Sequence, residues 1–213
     1  MKKCLLGLFW AVVSLSSAQE LKKFEVKADE WPEGAPPAEV FIVDGRVEVT
    51  AKDGNKALVI HPGTELVDAS AQLAVSAAGS ASIEARVFAS KRGRSAPRFG
   101  ISVHGMSGWR LYVTPAKKQL ELVKADQVVA SVPFTWKSEA WLNLKLEAQK
   151  GEGDAWSITG TAWAEGEAVP SAPQLKQEDK GLKGQGKCAV WGTPFSGTPI
   201  YFDDIRIAVQ AAE

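Results

Sequence analysis

Between Phe99 and Glu147, five short segments follow one another, FGISVHG, GWRLYVT, QLELVK, VVASVPF and WLNLKLE, each alternating apolar with polar residues. Period-2 alternation is the mark of a strand with one face buried, and an α-helix cannot seat it on one side. The joints carry Gly, Ser, Pro, Lys or Asp, so neighbouring antiparallel strands joined by short turns are expected. The pattern recurs outside this stretch. SIEARVFA over 82–89 sets Ile83, Ala85 and Val87 against Glu84, Arg86 and Phe88, and WSITGTAW over 156–163 reads as another strand. CAVWG and IYFDDIRIAV close the chain, and no amphipathic helix of ordinary length follows residue 18. About a dozen strands at this spacing imply an all-β fold, a two-sheet antiparallel jelly-roll sandwich.

Elsewhere the chain is punctuated by turns. Asp44-Gly45 inside VFIVDGRVEVT predicts a hairpin, and Asp53-Gly54-Asn55 predicts a turn before a strand through Leu58 and Ile60. Gln19 to Lys27 suits an edge strand. Trp31 to Pro37 holds three prolines and is a surface loop with Trp31 tucked beneath it. Thr64 to Ala78 tolerates helix or strand, and Val67 and Val75 tip it toward strand. Lys91 to Arg98 is a basic, solvated loop, and Ala164 to Gly186 is loose. Leu142, Leu144 and Leu146 face inward, with Trp141, Asn143 and Lys145 opposite. Trp109 and Trp191 are expected in the core, while Trp141 and Trp163 fall on the other register.

Lys+Arg and Asp+Glu both number 25, so the formal net charge is zero and nothing points to nucleic acid. Lys2 and Lys3, the apolar run Leu5 to Leu15 and Ser16-Ser17-Ala18 form a secretory signal over 1–18, with cleavage expected before Gln19. The apolar run is too short to span a membrane. Residues 19–39 are then a lead-in and Pro-rich loop, 40–210 a single domain, and the protein periplasmic or secreted. After cleavage Cys188 is the one cysteine, which excludes an internal disulfide and suits a buried thiol.

The order FGISVHG, GWRLYV, a short hairpin, the Trp136 turn, WLNLKLE and the terminal YFDDIRI resembles the concanavalin A-like lectin/glucanase superfamily. Within it the chain is similar to laminin-G-like and 3-keto-disaccharide-hydrolase-type domains of secreted bacterial proteins, from about Val40 to Val209. The resemblance implies a jelly roll whose concave face holds carbohydrate. Glucanases of this fold use a Glu-x-Asp-x-x-Glu run; here Glu152-Gly153-Asp154 lacks the last carboxylate. Glu165 and Glu167 flank Gly166 in a loop, and His61 and His104 are the only histidines. No catalytic constellation is legible. Asp203-Asp204 offers the hard oxygens that calcium takes, yet a β-bulge with Phe202 and Ile205 both inward is the preferred reading.

The expected ligand face carries Glu84, Arg86, Ser102, His104, Arg110 and Tyr112, which alternation sets opposite the core. Counting outward from the Gly105–Gly108 turn places Arg110 against His104 and Tyr112 near Ser102. The expected function is non-catalytic binding of carbohydrate or a glycan-bearing surface. The alternatives are a glycoside or keto-disaccharide hydrolase and a structural module that pairs with another cell-envelope protein.

Overall fold

A computed structural model describes residues 21–63 and 68–211, and among them there is no α-helix. The central element is β5 (Ala69–Ala89), which runs through both layers of a sandwich. Its first half pairs with β2 (Phe41–Asp44) and β13 (Gly186–Thr193), its second half with β10 (Trp141–Lys150) and β14 (Ile200–Ala211). Small residues, Ala-Val-Ser-Ala-Ala-Gly-Ser-Ala, fill the crossing, and Ala74 takes a positive φ of 57° where the register against β13 slips. A bulge of this kind bends a strand and lets it change layers.

The first sheet runs β2, β5, β13, β6 (Arg98–Val103), β7 (Trp109–Thr114), β8 (Gln119–Lys124) and β9 (Gln127–Pro133). The second runs β12 (Leu175–Asp179), β11 (Trp156–Ala164), β10, β5 and β14. It continues from β14 to β4 (Asn55–His61), then to β3 (Arg46–Lys52), while β1 (Lys22–Val26) also pairs with β14. All of these pairs are antiparallel.

Between the layers, Phe99, Ile101, Leu111, Val113, Leu122 and Val190 meet Ile83, Val87, Leu144, Leu146, Ile158, Phe202 and Ile207, all at most 2% exposed. Gly160 shows how tightly the layers close: a Cβ there would lie 2.6 Å from the Leu111 side chain of the facing sheet. Alternation has done its work here, since Ile83, Ala85 and Val87 are buried while Glu84, Arg86 and Phe88 are half-exposed.

Three expectations need correction or extension. Asp44-Gly45 is not a hairpin, because β2 pairs with β5 in one sheet and β3 with β4 in the other. The turn chemistry is present, but the flanking segments part at a corner between layers. Asp53-Gly54 does close a hairpin, with Lys52 opposite Asn55 and positive φ at both turn residues. The ambiguous 64–78 segment is strand from Ala69 onward and fuses with 82–89; residues 64–67 lie outside the described residues, as do the signal segment and its cleavage site. The loose 164–186 stretch contains a short edge strand, β12. No helix among the described residues is long and apolar enough to cross a membrane.

Candidate functional site

On the face of the first sheet turned away from the core, two adjacent cross-strand rows read Trp191–Gly100–Tyr112–Glu121 and Ala189–Ser102–Arg110–Val123. Tyr112, Val123, Ala189 and Trp191 form an apolar cluster separate from the main core. Gly100 makes the row possible. A Cβ there would lie 3.0 Å from Tyr112 Cδ1 and 2.0 Å from the Leu111 carbonyl oxygen, so the tyrosine ring occupies the space a side chain would take.

Each ring carries a guanidinium: that of Arg98 lies 3.7 Å from the Tyr112 centroid and that of Arg110 4.0 Å from Trp191. Cation–π contact with a partly desolvated ring holds these arginines in place. Polar groups knit the floor. The Trp191 indole N–H donates to Ser102 Oγ (2.7 Å), and Asp68 accepts from the Tyr112 hydroxyl (2.7 Å) and the Thr193 hydroxyl (2.8 Å). Arg110 pairs with Asp126 (2.8 Å) and donates to the Met106 carbonyl (3.1 Å). Among the described residues no carboxylate lies within 4 Å of the Arg98 guanidinium. Burial, reinforced by Asp68, holds the Tyr112 hydroxyl well above its ordinary pKa, so it is a fixed donor. The face therefore offers planar cationic donors and carboxylate acceptors over an aromatic floor.

Of the six expected ligand-face residues, the structure brings three together, Ser102, Arg110 and Tyr112, and all three are buried. The register counted from the turn needs correction. Arg110 stands opposite Ser102 and Tyr112 opposite Gly100, because the last pair before the turn is Val103 with Trp109. His104 has left the ladder at φ 62° and packs edge-on against Trp156, 5.3 Å between centroids. Both its ring nitrogens are buried without a partner among the described residues, and burial pushes its pKa down to about 4, so it is a neutral packing residue.

Glu84 and Arg86 lie on the outer face of the second sheet. Neighbouring strands there align Trp141, Phe88 and Tyr201 in one row, with centroids 5.5 and 6.0 Å apart. Arg86 stacks on Trp141 at 4.4 Å and pairs with Glu165 (2.6 Å), Asp203 (2.7 Å) and Asp204 (3.2 Å). Burial lowers the Arg86 pKa, but the hydrogen bonds it donates to Asp203 and Glu165 and the charge of Asp204 outweigh burial and raise the value. The expected bulge is present: the register shifts after Asp203, Asp204 has φ 48°, and Phe202 and Ile205 are both buried. Both aspartates are turned to the Arg86 guanidinium. Glu84 faces Arg206 at 3.5 Å.

Sequence reasoning missed Asp68, Arg98, Asp126, Thr193 and the role of Trp191. Arg98 was legible, being in phase with Gly100 and Ser102 on one strand. Asp68 and Asp126 sit in connections and left no periodic signal.

No family model matches this chain, and no curated protein matches it. Solved structures do. The carbohydrate-binding module CBM66 from Bacillus subtilis superposes with a TM-score of 0.54 at 13% identity, over 79% of this chain and 94% of that one. The carbohydrate recognition domain of Emp46p, in its metal-free form, gives 0.54 at 10% identity over 83% and 90%. Lectin II from Ulex europaeus gives 0.53 at 7% identity over 89% and 98%. At such identities these likenesses show the fold alone, a two-sheet antiparallel β-sandwich.

Proposed function

We propose that this protein binds carbohydrate without catalysis, through the outer face of its first sheet. The observation that carries the reading is the pair of guanidiniums, Arg98 and Arg110, laid on Tyr112 and Trp191 beside the Asp68 carboxylate. Sugar hydroxyls are both donors and acceptors, and recognition needs fixed polar groups of both kinds on a rigid support. Tyr112 and Trp191 are the support, and Arg98, Asp68 and Asp126 are the more accessible groups. Solved structures of the same fold include a carbohydrate-binding module, a carbohydrate recognition domain and a lectin, which supports this ligand class. A ligand of this kind agrees with export through the 1–18 signal to the periplasm or the medium.

A glycan array on the mature protein, followed by calorimetry on its hits, tests the reading. Arg98→Ala should weaken binding at least tenfold, about 1.4 kcal/mol, with the thermal midpoint kept. An array without hits favours a structural module that pairs with another envelope protein. Product release from a bound glycan would make the chain a hydrolase of the glycoside or keto-disaccharide type.

A further inference from the structure

At the edge of the second sheet, the connection between β9 and β10 and the chain following β11 enclose a cleft of about 300 Å³. Three of the eight tryptophans, Trp136, Trp141 and Trp163, line it, together with Phe134 and Pro170. One wall is fixed in advance. The Gln174 side-chain amide donates to the Ala162 carbonyl (2.6 Å) and accepts from the Ala162 N–H (2.7 Å), holding the returning chain against β11 like one more rung of the ladder. The Trp136 ring is fixed edge-on against Phe99, 5.7 Å between centroids. Its indole N–H, which can only donate, is buried and has no acceptor among the described residues. A buried donor left open calls for an explanation, and a ligand acceptor is one.

We infer that this cleft is a second sugar subsite, which takes one neutral pyranose ring. The volume is at the small end of ligand sites and holds a single ring. Indole faces suit the apolar C–H side of a pyranose, and a ring hydroxyl supplies the acceptor that the Trp136 N–H lacks. The rim carries one cation, Lys137, and one anion, Glu167, so it selects for neither charge. The Arg86 guanidinium beside Trp141 is already committed to Glu165, Asp203 and Asp204 and adds no net attraction for anions. This site lies on the other sheet from Arg98 and Tyr112 and stands whether or not that face binds glycan.

The test is a titration of the 15N-labelled protein with the methyl pyranosides of glucose, galactose, mannose and xylose, with sorbitol as an open-chain control. The resonance read is the Trp136 indole N–H, assigned by its disappearance in Trp136→Phe. At least one pyranoside should shift it saturably and sorbitol should not. In the Arg98→Ala background, calorimetry with that pyranoside should show at least tenfold weaker binding once Trp136→Phe is added, and the Trp136 N–H shift should titrate alike in the parent and in Arg98→Ala. No saturable shift with any of the four overturns the subsite. A response equal to that of sorbitol, or one abolished by Arg98→Ala, overturns it as well.

Discussion

Gly100 and Tyr112 hold the aromatic floor of the first sheet together, and each gives a measurable consequence. Tyr112→Phe keeps the ring under Arg98 but removes the donor to Asp68. A hydrogen bond to a charged acceptor contributes about 1.5–3 kcal/mol, so urea denaturation should show a loss toward the lower end of that range, Asp68 being half-exposed. Gly100→Ala drives a methyl group into the Leu111 carbonyl and the Tyr112 ring, and overpacking of this sort costs about 1–3 kcal/mol. An alanine variant as stable as the parent would show that the ring does not rest on the glycine. Alternation alone was enough to set Ser102, Arg110 and Tyr112 on one face. It does not say what lies over that face; in the structure all three are buried, with Arg98 and Asp68 against Tyr112 and Asp126 against Arg110. Nor does alternation survive a left-handed residue. At φ 62° His104 turns out of the ladder, and no count along the strand could show it.

Strands are where the sequence was most legible, and β10 puts that to a test. Leu144 is fully buried opposite Ala85 and Ala162, whereas the Lys145 side chain is 35% exposed and pairs with Glu147 at 3.0 Å. Leu144→Ala should cost about 2–5 kcal/mol through the lost transfer energy and the cavity. Lys145→Ala, one residue on, should stay within about 0.5 kcal/mol, since an exposed pair contributes little. Matching urea midpoints for the two would mean that the faces of β10 are exchanged. Faces were legible because burial imposes period 2 on each strand separately. Connections were not, because Asp44-Gly45 and Asp53-Gly54 have the same turn chemistry and only the second closes a hairpin. What separates them is the destination of the next strand, a property of the sheets and not of the dipeptide. The 21-residue β5 was hidden for the same reason: its small-residue middle reads as an interruption and is in fact the crossing between layers.

At the scale of the whole sandwich, two buried groups set how it answers to acid. Asp179 on β12, at the edge of the second sheet, accepts from Trp109 (2.7 Å) and pairs with Lys124 (2.5 Å), both on the first sheet, and so ties the two layers together. Burial raises its pKa, but Lys124, the Gly181 N–H and the Trp109 N–H outweigh burial and bring it below 3.8. A depressed carboxylate contributes stability above its unfolded value and loses it as pH falls through and below that value, so Asp179 acts below about pH 4. His104 acts earlier. Burial beside Trp156 lowers its pKa from 6.5 to about 4, so between those values the unfolded chain takes up a proton that the folded one refuses. That difference removes about 3 kcal/mol as pH falls from 6.5 to 4, at about 1.4 kcal/mol per unit, and adds nothing further below. His61, whose pKa is also lowered by burial, is left in place in every variant and cancels from the comparison. His104→Asn keeps a residue that tolerates the left-handed backbone while abolishing the titration. Urea unfolding at pH 7, 5.5, 4.5 and 3 should show the parent losing stability from pH 6.5 downward and His104→Asn losing less, by the share that His104 contributes, with the slope due to His61 still present. Asp179→Asn should start lower at pH 7, keep the upper slope and lose the lower one. Equal slopes for the parent and His104→Asn between pH 6.5 and 4.5 would mean that the imidazole is solvated and that the end of the sandwich at Trp156 is open.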